Sequence, residues 1–157
     1  MQRLRSKSVL IPSIALAAVA ATSWLSLHAG ASPAAAVDPA EAAIKAAMSQ
    51  MNDALKVLGK GVTAETKVAA LDELTKFETA LIAAKAQVPA SAEKVDEKKR
   101  AAFVADYRKT LLETLKIACD AEAAIADGKY KDAEKLINNK LSAQKSAGHG
   151  KFKPEGM

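Results

Sequence analysis

The sequence predicts an all-α protein, an up-down-up-down antiparallel four-helix bundle, and three observations support this fold class. Beyond residue 37 the chain is rich in Ala, Leu, Lys and Glu, which are good helix formers. Glycine and proline divide this part into four segments, each about 20 to 30 residues or roughly 30 to 45 Å long as a helix. Apolar side chains recur within each segment at steps of three and four, as in helices with one buried stripe. The short connections favour antiparallel neighbours.

Capping residues, glycine and proline set the ends of the first two helices. The first begins at Asp38-Pro39, because Asp can cap a helix and Pro suits its first turn, and it ends at Gly59. Thr63 is the predicted cap of the second helix, which runs to Val88 and is stopped by the loop from Pro89 to Val95. The predicted buried stripe of the first helix is Ile44, Met48, Met51, Leu55 and Leu58. That of the second helix is Val68, Leu71, Leu74, Leu81 and Val88, with Phe77 on its flank.

The last two helices are bounded in the same way. Either Asp96 or Ser91 could cap the third helix, which ends at Asp127-Gly128. The fourth helix runs from residue 129 to residue 147 and is expected to fray at Gly148. The third stripe is Phe103, Tyr107, Leu111, Leu115 and Ala118, and the fourth is Tyr130, Ala133, Ile137 and Leu141.

Residues 1–31 are predicted to be a signal peptide, which leaves residues 38–153 as one folded domain. Three basic residues, Arg3, Arg5 and Lys7, precede an almost wholly apolar run over residues 8–27. Ala29-Gly30-Ala31 is a cleavage signal of small residues, and a second one places the cut as late as residue 36. The alternative is an uncleaved membrane anchor, because the run is just long enough to span a bilayer. Cleavage predicts an exported, periplasmic protein with no stable membrane association.

Charge and cysteine content exclude several classes of protein. Loss of the signal peptide leaves 20 basic and 18 acidic residues, a net charge of +2 instead of the +5 of the full chain. The charges are mixed along the chain without a basic run beside aromatic residues, so nucleic acid is not an expected partner. The one cysteine, Cys119, cannot form an internal disulfide and is predicted to be a small buried residue.

Two soft ligands stand at opposite ends of the mature sequence. Met48 lies early in the first helix, and His149 is the only histidine left once His28 is removed with the signal peptide. In an antiparallel bundle the start of the first helix and the end of the fourth are neighbours, so one haem iron could take a ligand from each. By spacing alone, Met48 is more often a core residue and His149 a solvated side chain or a cation at a helix end.

These residues lie in motifs that resemble the cytochrome b562 family, and the resemblance extends from about Ala43 to Lys153. Its most specific segments are residues 48–57 (MSQMNDALKV), the turn at residues 127–130 (DGKY) and residues 148–152 (GHGKF). The resemblance implies a periplasmic four-helix bundle with one non-covalent b-type haem. It also implies that Met48 and His149 are the axial ligands of the iron.

Further residues are assigned to the haem pocket on this basis. Met51 lies one turn from Met48 on the same face and is assigned to packing in the pocket. Phe103 and Tyr107 are candidates for stacking near the ring, although an aromatic stripe is more often plain core. Lys145 could reach a haem propionate, with a solvated surface lysine as the alternative.

The sequence lacks the motifs of other functional classes. It has no C-x-x-C-H for covalent haem attachment, no Glu-x-x-His pair for a di-iron site and no glycine-rich phosphate loop. We therefore expect no enzyme but a cytochrome that transfers single electrons between redox partner proteins. The alternative is a haem-free helical protein that binds copper through Met48, Met51 and His149.

Overall fold

The computed structural model describes residues 38–153, and within them every regular element is helical. The helices are α1 (Pro39–Leu58), α2 (Lys67–Lys85), α3 (Glu97–Ala126) and a fourth helix in three consecutive parts. These parts are α4 (Tyr130–Lys135), a π-helical turn (Leu136–Leu141) and α5 (Ser142–Phe152), and a 3₁₀ turn (Ala90–Lys94) lies between α2 and α3. The predicted all-α fold is confirmed over this range, whereas the predicted signal peptide lies outside it.

Two predicted helix caps are present and one is wrong. The Asp38 side chain accepts a hydrogen bond from the backbone N–H of Ala40 at 2.9 Å, and Asp96 caps α3 in the same way. The hydroxyl of the predicted cap Thr63 accepts from the backbone N–H of Thr66 at 3.3 Å, and the backbone N–H of Thr63 donates to the hydroxyl of Thr66 at 2.8 Å. The helix α2 begins only after Thr66. A local turn between the two threonines thus replaces the cap.

The core lies between helices that pack in chain order, α1 on α2, α2 on α3 and α3 on the fourth helix. The predicted stripes of α1, α3 and the fourth helix are buried or partly buried. Two assignments in the second stripe are wrong, because Val68 is 72% and Val88 46% exposed. Val88 lies beyond the end of α2, and small residues of α2 (Ala70, Ala80 and Ala84) take the buried positions instead.

Cys119 is exposed, which contradicts its predicted burial. On α3 its neighbours Ala118 and Ala121 are the residues that face the core. Successive residues of an α-helix point in different directions, so the inward position falls to Ala118.

The fourth helix does not fray at Gly148 but continues to Phe152, which is buried. A π turn holds more residues than an α turn, so the segment Leu136–Leu141 absorbs one extra residue and rotates the helix that follows. Ala133, Ile137 and Leu141, spaced by four, all remain on the core side. The π turn therefore determines which face of α5 points into the bundle.

No helix among residues 38–153 is both long and apolar enough to cross a membrane.

Candidate functional site

A cavity of about 350 Å³ opens in the half of the bundle that contains the end of the fourth helix. It lies between α1 and the fourth helix, with α2 and α3 behind it. The residues that line it include Met48, Met51, Asn52, Leu55, Phe77, Leu81, Tyr107, Thr110, Leu111, Thr114, Lys145, Gly148, His149 and Phe152. Four helices thus contribute to one site.

The cavity follows a seam along which α1 and the fourth helix are not closely packed. Across this seam, Lys145 Nζ donates a hydrogen bond to Asn52 Oδ1 at 2.6 Å. Both residues line the cavity, and so they form part of its rim. The gap leaves the site open on one edge while α2 and α3 close the other side.

The cavity walls are mainly apolar, and the two threonines among the wall residues have no unpaired hydroxyl. The hydroxyl of Thr110 donates to the carbonyl of Asp106 at 3.0 Å, and that of Thr114 donates to the carbonyl of Thr110 at 2.8 Å. Because both hydroxyls are used within α3, their hydrogen-bonding demand is met without a ligand. The site is therefore suited to a large apolar molecule.

The structure brings the two predicted ligands to the same cavity. Met48 is partly buried and Met51, one turn further along α1, is buried, and both line the walls. His149 is exposed at the rim, and its ring nitrogens have no hydrogen-bond partner among the described residues. A free imidazole and a thioether on one apolar cavity are a donor set that fits a haem iron.

The two aromatic candidates are placed differently. Tyr107 lines the cavity, and its hydroxyl donates to the carbonyl of Ala84 at 3.1 Å. Burial raises the pKa of Tyr107 to about 12, which keeps the phenol neutral. Phe103 is not on the cavity wall but stands behind Phe152, with ring centroids 5.3 Å apart. Phe103 could therefore affect a ring bound in the cavity only through Phe152.

The sequence alone predicts no role for Phe152, although this residue lies in the terminal motif. The one signal is its position three residues after His149, which places both residues on one side of a helix. A fourth helix that ends at Gly148, as the sequence predicts, does not reach Phe152. Phe77, Leu81 and Thr114, which also line the cavity, could be assigned to it only from the packing of α2 and α3.

Other titratable groups lie elsewhere. Burial and the nearby charge of Glu122 raise the pKa of Glu78, and burial and the charge of Glu78 raise the pKa of the Cys119 thiol. None of the three lines the cavity. Among residues 38–153, no three His, Cys, Asp or Glu side chains are grouped so that they could hold a metal ion.

Comparison with known proteins identifies the family. The family model described as cytochrome b562 matches residues 43–153, which include the cavity and both predicted ligands. No curated protein sequence matches the chain. The family binds haem b without a covalent bond and acts in electron transfer, and this chain belongs to the cytochrome b562 family.

Proposed function

We propose that this protein is a periplasmic b-type cytochrome that binds one haem b in the cavity and transfers single electrons between redox partner proteins. The observation that supports this most directly is that Met48 and His149, from distant parts of the chain, line the same apolar cavity. In this proposal both would hold the iron. Haem would supply one-electron chemistry there, and the thioether of Met48 as a ligand would favour the ferrous state.

The residues of the chain have three tasks in this proposal. Met48 and His149 hold the iron from α1 and α5, while Met51 and Tyr107 pack against the ring. The apolar walls exclude water, so that little rearranges when the charge of the iron changes. The seam between α1 and the fourth helix leaves one edge open for electron exchange, and Lys145 on that seam is the candidate for a propionate.

An up-down-up-down order of the helices belongs to the same proposal. Side-chain contacts that join the start of one helix to the end of the next support it. Lys67, at the start of α2, donates to the carbonyl of Ala126 at the end of α3 at 3.0 Å. Lys151, at the end of α5, pairs with Asp106 in the first half of α3.

Export and partners complete the proposal. Cleavage after residue 31, or as late as residue 36, would release the domain at residues 38–153 into the periplasm, where members of the family are typically found. We propose no enzymatic activity, no nucleic-acid partner and no stable membrane association. The partners are redox proteins that reach the open edge of the cavity.

A visible spectrum of the protein purified from the periplasm tests the function. Haem ligated by Met48 and His149 should give a low-spin reduced spectrum with a sharp α band, and titration should reach one haem per chain. A colourless protein that takes up Cu(I) would instead support the copper-binding alternative through Met48, Met51 and His149.

Single substitutions test the ligand assignment. Met48→Leu should abolish the reduced low-spin spectrum but keep haem bound, whereas His149→Ala should weaken haem retention more, because imidazole is the stronger ligand in both oxidation states. Met51→Leu is the matched control, since it keeps the volume and removes the sulfur, and its spectrum should be unchanged. If His149→Ala leaves the reduced spectrum as it was, the assignment is wrong.

A further inference from the structure

The turn that bears His149 is poorly held by its own sequence. Gly148 and Gly150 flank the histidine inside α5, and at either glycine a Cβ would meet no described atom within 4 Å other than its chain neighbours and the backbone of the helix itself. Glycine weakens a helix interior, because it loses more conformational freedom on folding than any other residue. His149 itself is exposed and has no side-chain hydrogen bond among the described residues. Other contacts must therefore fix its position.

Phe152 supplies the main contact, one turn after His149. Its side chain is only 7% exposed, and its ring meets those of Phe103 and Tyr107 at centroid distances of 5.3 Å each. The interplanar angles of 66° and 75° are edge-to-face, a favoured arrangement of aromatic pairs. Tyr107 is in turn tied to α2 by its hydrogen bond to the carbonyl of Ala84.

Two polar contacts act on the same turn. The hydroxyl of Ser91, in the 3₁₀ turn, donates to the carbonyl of Phe152 at 2.7 Å. This carbonyl is among the last four of the helix, which have no partner within the helix itself. Lys151 pairs with Asp106 of α3, and its ammonium group lies 5.6 Å from the centre of the Phe152 ring. The end of α5 is thus attached to the 3₁₀ turn through the Phe152 carbonyl and to α3 through Lys151.

We propose that Phe152 is a positioning residue that holds His149 in register with the iron site. This inference rests on the proposed haem function. Residues three apart share one side of a helix, so a displacement of Phe152 moves the imidazole with it. Phe152 acts through α5 and its aromatic neighbours, and Ser91 contributes by holding its carbonyl. Residues that orient a metal ligand typically change affinity about 10- to 100-fold when they are removed.

The test compares Phe152→Ala with Leu74→Ala at saturating haem and at a temperature where both variants are folded. Leu74 is fully buried on α2 and does not line the cavity, so its truncation destabilises the fold without touching the end of α5. Phe152→Ala should convert most of the reduced low-spin haem to high spin and weaken haem binding about 10- to 100-fold. Leu74→Ala should keep the low-spin spectrum despite a lower melting temperature.

Two further variants keep the inference testable if Phe152→Ala folds poorly. Phe152→Leu retains much of the buried volume and should recover part of the low-spin amplitude, and Ser91→Ala should lose a smaller part of it. The inference is overturned if the Phe152 and Ser91 variants keep the full low-spin spectrum, or if Leu74→Ala loses as much of it as Phe152→Ala. A wild-type protein with no low-spin haem spectrum would overturn the proposed function as well.

Discussion

The two halves of the bundle differ in how completely the chain fills its own interior. The closed half contains the ends of α1 and α3 and the helix α4. Its residues Leu58, Val62, Ile125 and Ala133 are at most 3% exposed. In the open half, around the cavity, Met48 is only partly buried and His149 is exposed. A cavity lowers the free energy of unfolding, so the packing of the closed half must compensate for the cavity in the open half. The closed half is thus the part whose folding we expect to be independent of a cofactor.

Hydrogen bonds across the helices follow the same division. In the closed half, Glu134 Oε1 accepts from the backbone N–H of Val62 at 3.0 Å, which joins the α1–α2 connection to α4. In the open half, the corresponding link between α1 and the fourth helix is the exposed pair Lys145–Asn52. An exposed pair stabilises a fold less than a partly buried one, because water competes for its hydrogen bonds. The link across the seam should therefore break at a lower cost than the contact of Glu134 in the closed half.

The largest effect on stability is expected for Leu58→Ala in the closed half, compared with Leu55→Ala in the open half. Leu58→Ala should lower the free energy of unfolding of the haem-free protein by about 2 to 5 kcal/mol and leave haem affinity nearly unchanged. Leu55→Ala, one turn earlier on α1, should cost less stability and more haem affinity, because Leu55 is partly buried and lines the cavity. Urea unfolding and haem titration measure the two effects. The opposite ranking would show that the halves are not energetically separate.

A smaller loss is expected from the hydrogen bond of the closed half. Glu134→Ala leaves the partly buried N–H of Val62 without its carboxylate partner and should cost about 1.5 to 3 kcal/mol. The matched control is Asp132→Ala, which removes an exposed ion pair with Lys135 and should cost less than about 1 kcal/mol. Equal midpoints of chemical unfolding for the two variants would contradict the importance of this contact.

Tyr107→Phe tests the cavity wall in the open half. Loss of the hydrogen bond from the Tyr107 hydroxyl to the carbonyl of Ala84 should lower the free energy of unfolding by about 1 kcal/mol. The wild type should also lose stability at alkaline pH for a reason that the variant lacks. Because the pKa of Tyr107 is raised in the folded protein, its neutral phenol adds to the free energy of unfolding. This contribution is complete below the ordinary tyrosine pKa of about 10 and is lost as the pH rises through about 12. The difference in unfolding free energy between the two proteins should therefore shrink above pH 10. A constant difference up to pH 12 would mean that Tyr107 titrates normally.

The smallest effect is expected from the two glycines beside His149. Gly148→Ala and Gly150→Ala should each stabilise the haem-free protein by about 0.5 to 1 kcal/mol, since both positions are helical and have room for a Cβ. Only Gly148 lines the cavity, so only Gly148→Ala should also lower haem affinity. Thermal melting and haem titration separate the two effects. Equal haem affinities would show that the Gly148 position does not face the bound ring.

Local features of the sequence were sufficient to predict most of the fold. Asp38 and Asp96 cap their helices with hydrogen bonds to residues two positions away, an interaction that involves no other part of the molecule. The stripe Phe103, Tyr107 and Leu111 was predictable because the helical period alone determines which residues share a face. The cytochrome b562 resemblance is confirmed by the family model over residues 43–153. Met48 and His149 were found from motifs, and their roles as ligands remain predictions.

Only the tertiary structure decided how the fourth helix ends and what surrounds the cavity. Gly148 marks a helix end by local propensity, but Phe152 is buried against Phe103 and Tyr107, and this burial outweighs the weak preference of the glycines. The π turn at Leu136–Leu141 and the exposure of Cys119 likewise depend on which face each helix turns toward its neighbours. Propensities and caps act within a few residues and are written in the sequence. Contacts between residues 61 positions apart, such as Ser91 and Phe152, exist only once the helices have packed.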